Sequence, residues 1–288
     1  MSARFATVGV VAVLSLLACA TTSEAGLIWS EDFNSHPDLS SGNWHWNITQ
    51  PPVVTTAGTW DTSSGAAVSN NSGAGVVQSS AQYVFTSAEK SAFGSLYDSG
   101  TGLIGGGSVA GTLYIRFDGG LITSHGLNQF AFFQTQRGST TNCADLDPGA
   151  GLDVGNGWGS DAYLALVNIT ASRADFTAGP LNQSLHTFIM KINYVAGAGE
   201  SATMWFDPTE GVNEAGQSGI VRSSGAGNLA FDTFVLRVGN NNSNWRFDNV
   251  KFGTAFSDVF AVPEPASMTL LAFGLAGFAG FIRRRRKA

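Results

Sequence analysis

"TLYIRF", Thr112 to Phe117, places Leu113, Ile115 and Phe117 on one side of an extended chain and Thr112, Tyr114 and Arg116 on the other. Alternation of this kind belongs to a half-buried β-strand. The same signal recurs at Tyr163 to Ile169, Phe188 to Val195, Thr203 to Phe206, Phe234 to Val238 and Arg246 to Phe252, with weaker cases at Gln82 to Phe85 and Gln129 to Gln134. No sustained 3.6-residue period competes with it, apart from one turn's worth at Ser87 to Phe93. Glycine fills 36 of the 288 positions, which suits frequent tight turns. Many evenly spread strands over about 235 residues predict one large all-β domain built as a two-sheet sandwich.

The two ends of the chain obey different rules. Arg4 precedes an apolar run from Val8 to Ala18, and the small residues Ser23 and Ala25 follow, the pattern of a secretory leader cut after Ala25. Leu16-Leu17-Ala18-Cys19 offers a competing lipoprotein-type cut that would leave Cys19 at the N-terminus. At the other end, Ala266 to Ile282 carries no charge. As a helix rising about 1.5 Å per residue it spans about 25 Å, a short membrane crossing. Arg283, Arg284, Arg285, Arg286 and Lys287 then form a cytoplasmic stop, which places the preceding chain outside. The expected organisation is a leader at 1–25, an exported β-sandwich at 26–261 and a terminal segment at 262–288.

Val262-Pro263-Glu264-Pro265, the apolar helix and the terminal arginines, in that order, resemble the PEP-CTERM sorting signal of Gram-negative bacteria. The resemblance implies a transient membrane anchor cut by the membrane-embedded sorting protease exosortase, followed by display at the cell surface or release to the extracellular matrix, in a setting often tied to exopolysaccharide. The motif's own chemistry fits a protease substrate. Two prolines fix φ and remove two backbone donors, so Val262 to Pro265 is held extended.

Of 15 basic and 21 acidic residues, six and two lie in the end segments, which leaves the body near −10. Such a balance excludes a nucleic-acid partner, whose phosphates require clustered lysine and arginine. With the cut after Ala25, Cys143 is the single cysteine left, so no intrachain disulfide forms and packing must hold the fold.

"SEDFNS" (Ser30 to Ser35), "ATMWFDPTEG" (Ala202 to Gly211) and "WRFDNVKFGTAFSDV" (Trp245 to Val259) occur in the order seen in concanavalin A-like, laminin-G-like jelly rolls. The body resembles that fold, which implies an all-β, two-sheet jelly-roll sandwich. Glycosidases on it carry E-x-D-x-x-E on one strand face; that pattern is absent, and Glu31 and Asp32, being adjacent, point to opposite faces. No G-x-S-x-G elbow exists. Gly100 to Gly105 satisfies G-x-G-x-x-G but neither follows a strand nor opens a helix. His36, His45, His125 and His186 lack metal-ligand spacing.

Two constellations remain. Asp145, Asp147, Asp153, Asn156 and Asp161 fall in a Gly-rich stretch, read as a loop, with the hard oxygens calcium prefers; Asp145, Asp147 and Asp153 are the candidate ligands. Trp44, Trp46 and Trp158, with Trp60, occur in loop-like contexts and are candidate platforms for a polysaccharide. The expected role is therefore non-catalytic glycan binding outside the cell, with a divergent polysaccharide hydrolase or lyase as the alternative.

Overall fold

The computed structural model describes residues 26–34, 39, 44–47, 59–64, 66–70, 78–121, 130–136, 151–156, 161–167, 174–180, 184–197, 200–218, 220–227, 229–239 and 245–260. The leader, the segment 262–288 with its motif, helix and basic cluster, and Cys143 lie outside them.

Among the described residues, seventeen strands follow in chain order: β1 (Leu27–Glu31), β2 (Trp44–Asn47), β3 (Thr59–Asp61), β4 (Ala67–Asn70), β5 (Gln78–Val84), β6 (Tyr97–Asp98), β7 (Leu103–Ile104), β8 (Gly111–Leu121), β9 (Phe130–Gln136), β10 (Gly151–Asn156), β11 (Asp161–Val167), β12 (Ala174–Pro180), β13 (His186–Tyr194), β14 (Glu200–Phe206), β15 (Ile220–Gly227), β16 (Thr233–Gly239) and β17 (Trp245–Gly253). Short helices α1 (Ser87–Ala92) and α2 (Phe256–Val259) punctuate them. One sheet runs β15-β14-β13-β8-β17-β4-β3, with β1 on β17; the other runs β12-β11-β10-β9-β16-β5-β2; β6 and β7 pair apart. Apart from the β6–β7 hairpin, the chain passes repeatedly from sheet to sheet, as at β4–β5, β8–β9, β12–β13, β15–β16 and β16–β17, and all named pairings are antiparallel. This is the two-sheet sandwich that the alternation predicts, in the jelly-roll form that the motif resemblance implies.

The alternation in β8 does what its pattern requires. Leu113, Ile115 and Phe117 are fully buried between the sheets, while Tyr114 and Arg116 emerge on the outer face. A run of rings crosses the core. Phe188 stacks on Phe117 with centroids 4.6 Å apart, Phe117 on Phe133 at 5.1 Å, Phe133 on Phe234 at 5.3 Å and Phe234 on Tyr83 at 5.4 Å; Trp29 ends the series 4.8 Å from Tyr83. Offset aromatic pairs at these distances add to the apolar burial.

A second apolar cluster lies on the outer face of the β8 sheet. After β17 the chain turns back through α2, and Phe256, Val259 and Phe260 cover Tyr114, Ile189 and Trp205. Trp205 meets the Phe256 ring at 5.5 Å. Arg116 seals the edge: its guanidinium lies 5.5 Å above the Phe260 ring, and Nη1 donates to the Val259 carbonyl at 3.4 Å.

Several sequence readings need correction: Trp44, Trp46 and Trp60, read as loop-like, lie in β2 and β3, and Gly100 to Gly105 does follow a short strand, β6, though it opens no helix. Of the Gly-rich stretch read as a loop, the described residues are strand: Asp153 and Asn156 belong to β10 and Asp161 opens β11. Leu152 and Val154 alternate with Gly151, Asp153 and Gly155, and β10 pairs with both β9 and β11. Period-2 alternation outweighed the glycines' turn preference.

Candidate functional site

The three quoted motifs each shape a local turn. In the first, Glu31 ends β1 buried and accepts the Phe33 amide on Oε1 at 2.7 Å; Phe33, fully buried, has φ 58°. In the second, Asp207 follows β14 at φ 48°, accepts the Thr187 amide on Oδ1 at 2.9 Å and meets His186 Nδ1 at 2.6 Å through Oδ2. It thus clips the end of β13. In the third, Asn249 sits at φ 51° where the β17–β8 register shifts between Asp248 and Lys251. Asparagine tolerates this left-handed geometry, and its Nδ2 donates to Asp118 Oδ2 at 2.8 Å. Asp118, 5% exposed, also accepts Arg116 Nη2 on both oxygens and the Thr187 hydroxyl at 2.8 Å. Burial raises the carboxyl of neighbouring Asp248 above its ordinary value, even against the Asn249 amide and Arg246.

The first and third turns meet Tyr83 around a cleft of about 530 Å³ lined by Trp29, Ser30, Glu31, Asp32, Tyr83, Asn249 and Lys251. Its volume falls in the roughly 300–1,000 Å³ range of small-molecule sites. Pairing of β1 with β17 sets Trp29 opposite Phe252 and Ser30 opposite Lys251. Trp29 is half-buried, held edge-on by Phe85, Phe234 and Phe252 at 5.3–5.7 Å. Its Nε1 donates to Glu89 Oε1 at 3.1 Å, and the Tyr83 hydroxyl donates to the same oxygen. Glu89 also accepts the Thr86 amide at 2.7 Å as the capping box of α1. Burial pushes the Glu89 carboxyl up, but the bonds from Tyr83, Thr86 and Trp29 outweigh it and hold it below its ordinary value. The indole is thereby fixed in one orientation.

Polar groups of both signs surround it. Asp32 is exposed and accepts the Asn34 amide at 3.1 Å. Lys251 is partly exposed and makes no ion pair among the described residues. The cleft thus offers one apolar ring beside hydrogen-bonding groups.

Sequence reasoning had noted Glu31, Asp32 and the Asn249 segment as fold motifs without joining them. Trp29 was not singled out, and Tyr83 and Lys251 were read only as strand residues, because the site exists only once the first and last strands pair. Trp44 and Trp46 lie in β2 opposite Tyr83 and Ala81, and Trp60 lies in β3 opposite Ser69. Asp153 stands opposite Gln134 and Ala165. Asp145, Asp147 and Trp158 lie outside the described residues. Among the described residues no three His, Cys, Asp or Glu side chains are grouped to hold a metal ion.

Residues 261–286 match the PEP-CTERM protein-sorting motif. That motif implies an exported protein associated with a membrane and processed by exosortase. No curated protein matches the chain. Similar solved structures include the globular domain of T. cruzi calreticulin, 11% identical with 88% of this chain and 99% of that one covered and a TM-score of 0.48. Lectin II from Ulex europaeus is 12% identical, with coverages of 78% and 97% and a TM-score of 0.45. The GlcNAcα1-4Gal releasing endo-β-galactosidase from Clostridium perfringens is 13% identical, with coverages of 83% and 65% and a TM-score of 0.48. At such low identity these likenesses say nothing of ligand or chemistry.

Proposed function

We propose that the body is a glycan-binding, non-catalytic module, exported and displayed at the cell surface or in the extracellular matrix through its sorting motif. The observation that carries this reading is the Trp29 indole, oriented by Glu89 in the wall of the cleft beside Asp32 and Lys251. A sugar ring presents an apolar face for an indole and hydroxyls for carboxylate and ammonium groups, and the half-buried tryptophan supplies the first at low entropic cost.

The test is a glycan-array screen of the purified chain, repeated with Asp32→Ala and Lys251→Ala. Asp32 is exposed and Lys251 partly so, so folding is expected to be retained while affinity for the captured glycan falls at least tenfold. Capture that is unchanged in both variants, or no capture at all, overturns the reading. Shortened oligosaccharides in the same incubation would instead support a hydrolase or lyase.

A further inference from the structure

The start of the body and the helix that precedes the sorting motif meet at one carboxylate. Gly26 leads into β1, and its carbonyl accepts the Thr254 amide at 3.2 Å. A Cβ at Gly26 would lie 2.0 Å from Asp258 Oδ2, and one at Gly253 would lie 2.6 Å from Asp258 Cβ and 3.2 Å from Val259 Cγ1. Gly26, just before β1, and Gly253, at the end of the paired β17, therefore form the seat on which Asp258 rests. Its Oδ2 accepts the amides of Thr254 at 3.0 Å and Ala255 at 2.6 Å, which turns the chain into α2. Because a Cβ is about 2.5 Å from its own backbone nitrogen, the Gly26 nitrogen is within about 4.5 Å of that oxygen.

In the uncut chain this nitrogen is a neutral amide. Hydrolysis of the Ala25–Gly26 bond by a leader peptidase adds water, sends a carboxylate away with Ala25, and leaves on Gly26 an amine that takes up a proton. With an ordinary α-amino pKa of about 7.7 to 8.0, that group is mostly an ammonium at neutral pH. We propose that the Gly26 ammonium created by leader removal binds Asp258, so that N-terminal processing strengthens the clasp, Phe256 to Phe260, that packs on the body directly before the sorting motif. The inference rests on cleavage after Ala25. The link to sorting is one of position: Phe260, 2% exposed, is followed directly by the motif that begins at residue 261.

Three chains running to Ala288 are compared in detergent: one starting at Gly26 with a free amine, the same chain Nα-acetylated, and one starting at Ala25, whose amine keeps its charge one residue away. Hydrogen exchange at 256–260 reads the clasp. Exchange is expected to be severalfold faster in the acetylated and Ala25-start chains, with β8 and β13 unchanged. In an Asp258→Asn background the three should exchange alike. Equal exchange in the three chains carrying Asp258 overturns the proposal. So does a difference that persists in Asp258→Asn, or an N-terminus other than Gly26 on protein purified from an exporting host.

Discussion

Trp29 and Tyr83, 4.8 Å apart and drawn from opposite sheets, donate to the same oxygen of Glu89. One carboxylate thus joins the two layers at the cleft and caps α1 as well.

Glu89→Gln should destabilise the protein by about 1 to 3 kcal/mol at neutral pH, the usual worth of hydrogen bonds to a charged acceptor. The sign with pH follows from the depressed carboxyl. Its stabilisation is complete above the ordinary value of 4.5 and is lost as pH falls through the lower folded value. Thermal melts of parent and variant should therefore converge as pH falls below the ordinary carboxylate value and through the lower folded one. A gap that is constant with pH refutes the assignment.

Asn249→Val forces a β-branched residue into left-handed backbone, at about 1 to 2 kcal/mol, and removes the bond to Asp118. Asn249→Gly loses only the bond. Denaturant midpoints should rank parent above Gly above Val, and glycan affinity should fall with Val because the cleft wall moves.

Arg116→Met leaves Asp118 buried without its guanidinium, and a loss of about 3 to 5 kcal/mol is expected. The same variant frees Phe260, so protease cutting near residue 260 should rise. Unchanged cutting would show that the clasp does not depend on Arg116.

Phe117→Ala interrupts the ring series between Phe188 and Phe133 and should cost about 3 to 5 kcal/mol. Equilibrium unfolding measures it. A cost under 1 kcal/mol would mean that Phe133 and Phe188 close the gap.

Pro263→Ala with Pro265→Ala removes the enforced extended geometry from the sorting motif. Uncut protein should accumulate in the membrane fraction of a host with active exosortase, read from the C-terminal mass. Normal processing of the double variant would refute that role for the prolines.

Strands with strict alternation were legible in the sequence: Thr112 to Phe117 lies within β8, Phe234 to Val238 within β16 and Arg246 to Phe252 within β17. The capping pair Thr86 and Glu89 makes the turn at Ser87 to Phe93 a true helix. Strands such as β15, IVRSSGAG, and β12, ADFTAGP, were not legible, because glycine, serine and proline mask a pattern enforced by neighbouring strands. The cleft was hidden for another reason. Trp29 and Lys251 are neighbours only through long-range pairing, and nothing local in either segment announces the other.

The pairing of β1 with β17 also fixes an order of events. The first strand of the body finds its hydrogen-bond partner only in the last, so a chain threaded outward from its N-terminus keeps β1 waiting until Gly253 has emerged. Closure of so non-local a contact is slow, and until then β1 and the β17-facing edge of β8 are open to pairing with other chains. The next residues to arrive after α2 are those of the sorting motif. Under the proposed sorting role, arrest of the tail in a membrane would coincide with the moment at which the body first becomes able to complete its sheet, and would keep each half-finished molecule tethered and apart from its neighbours while it does so.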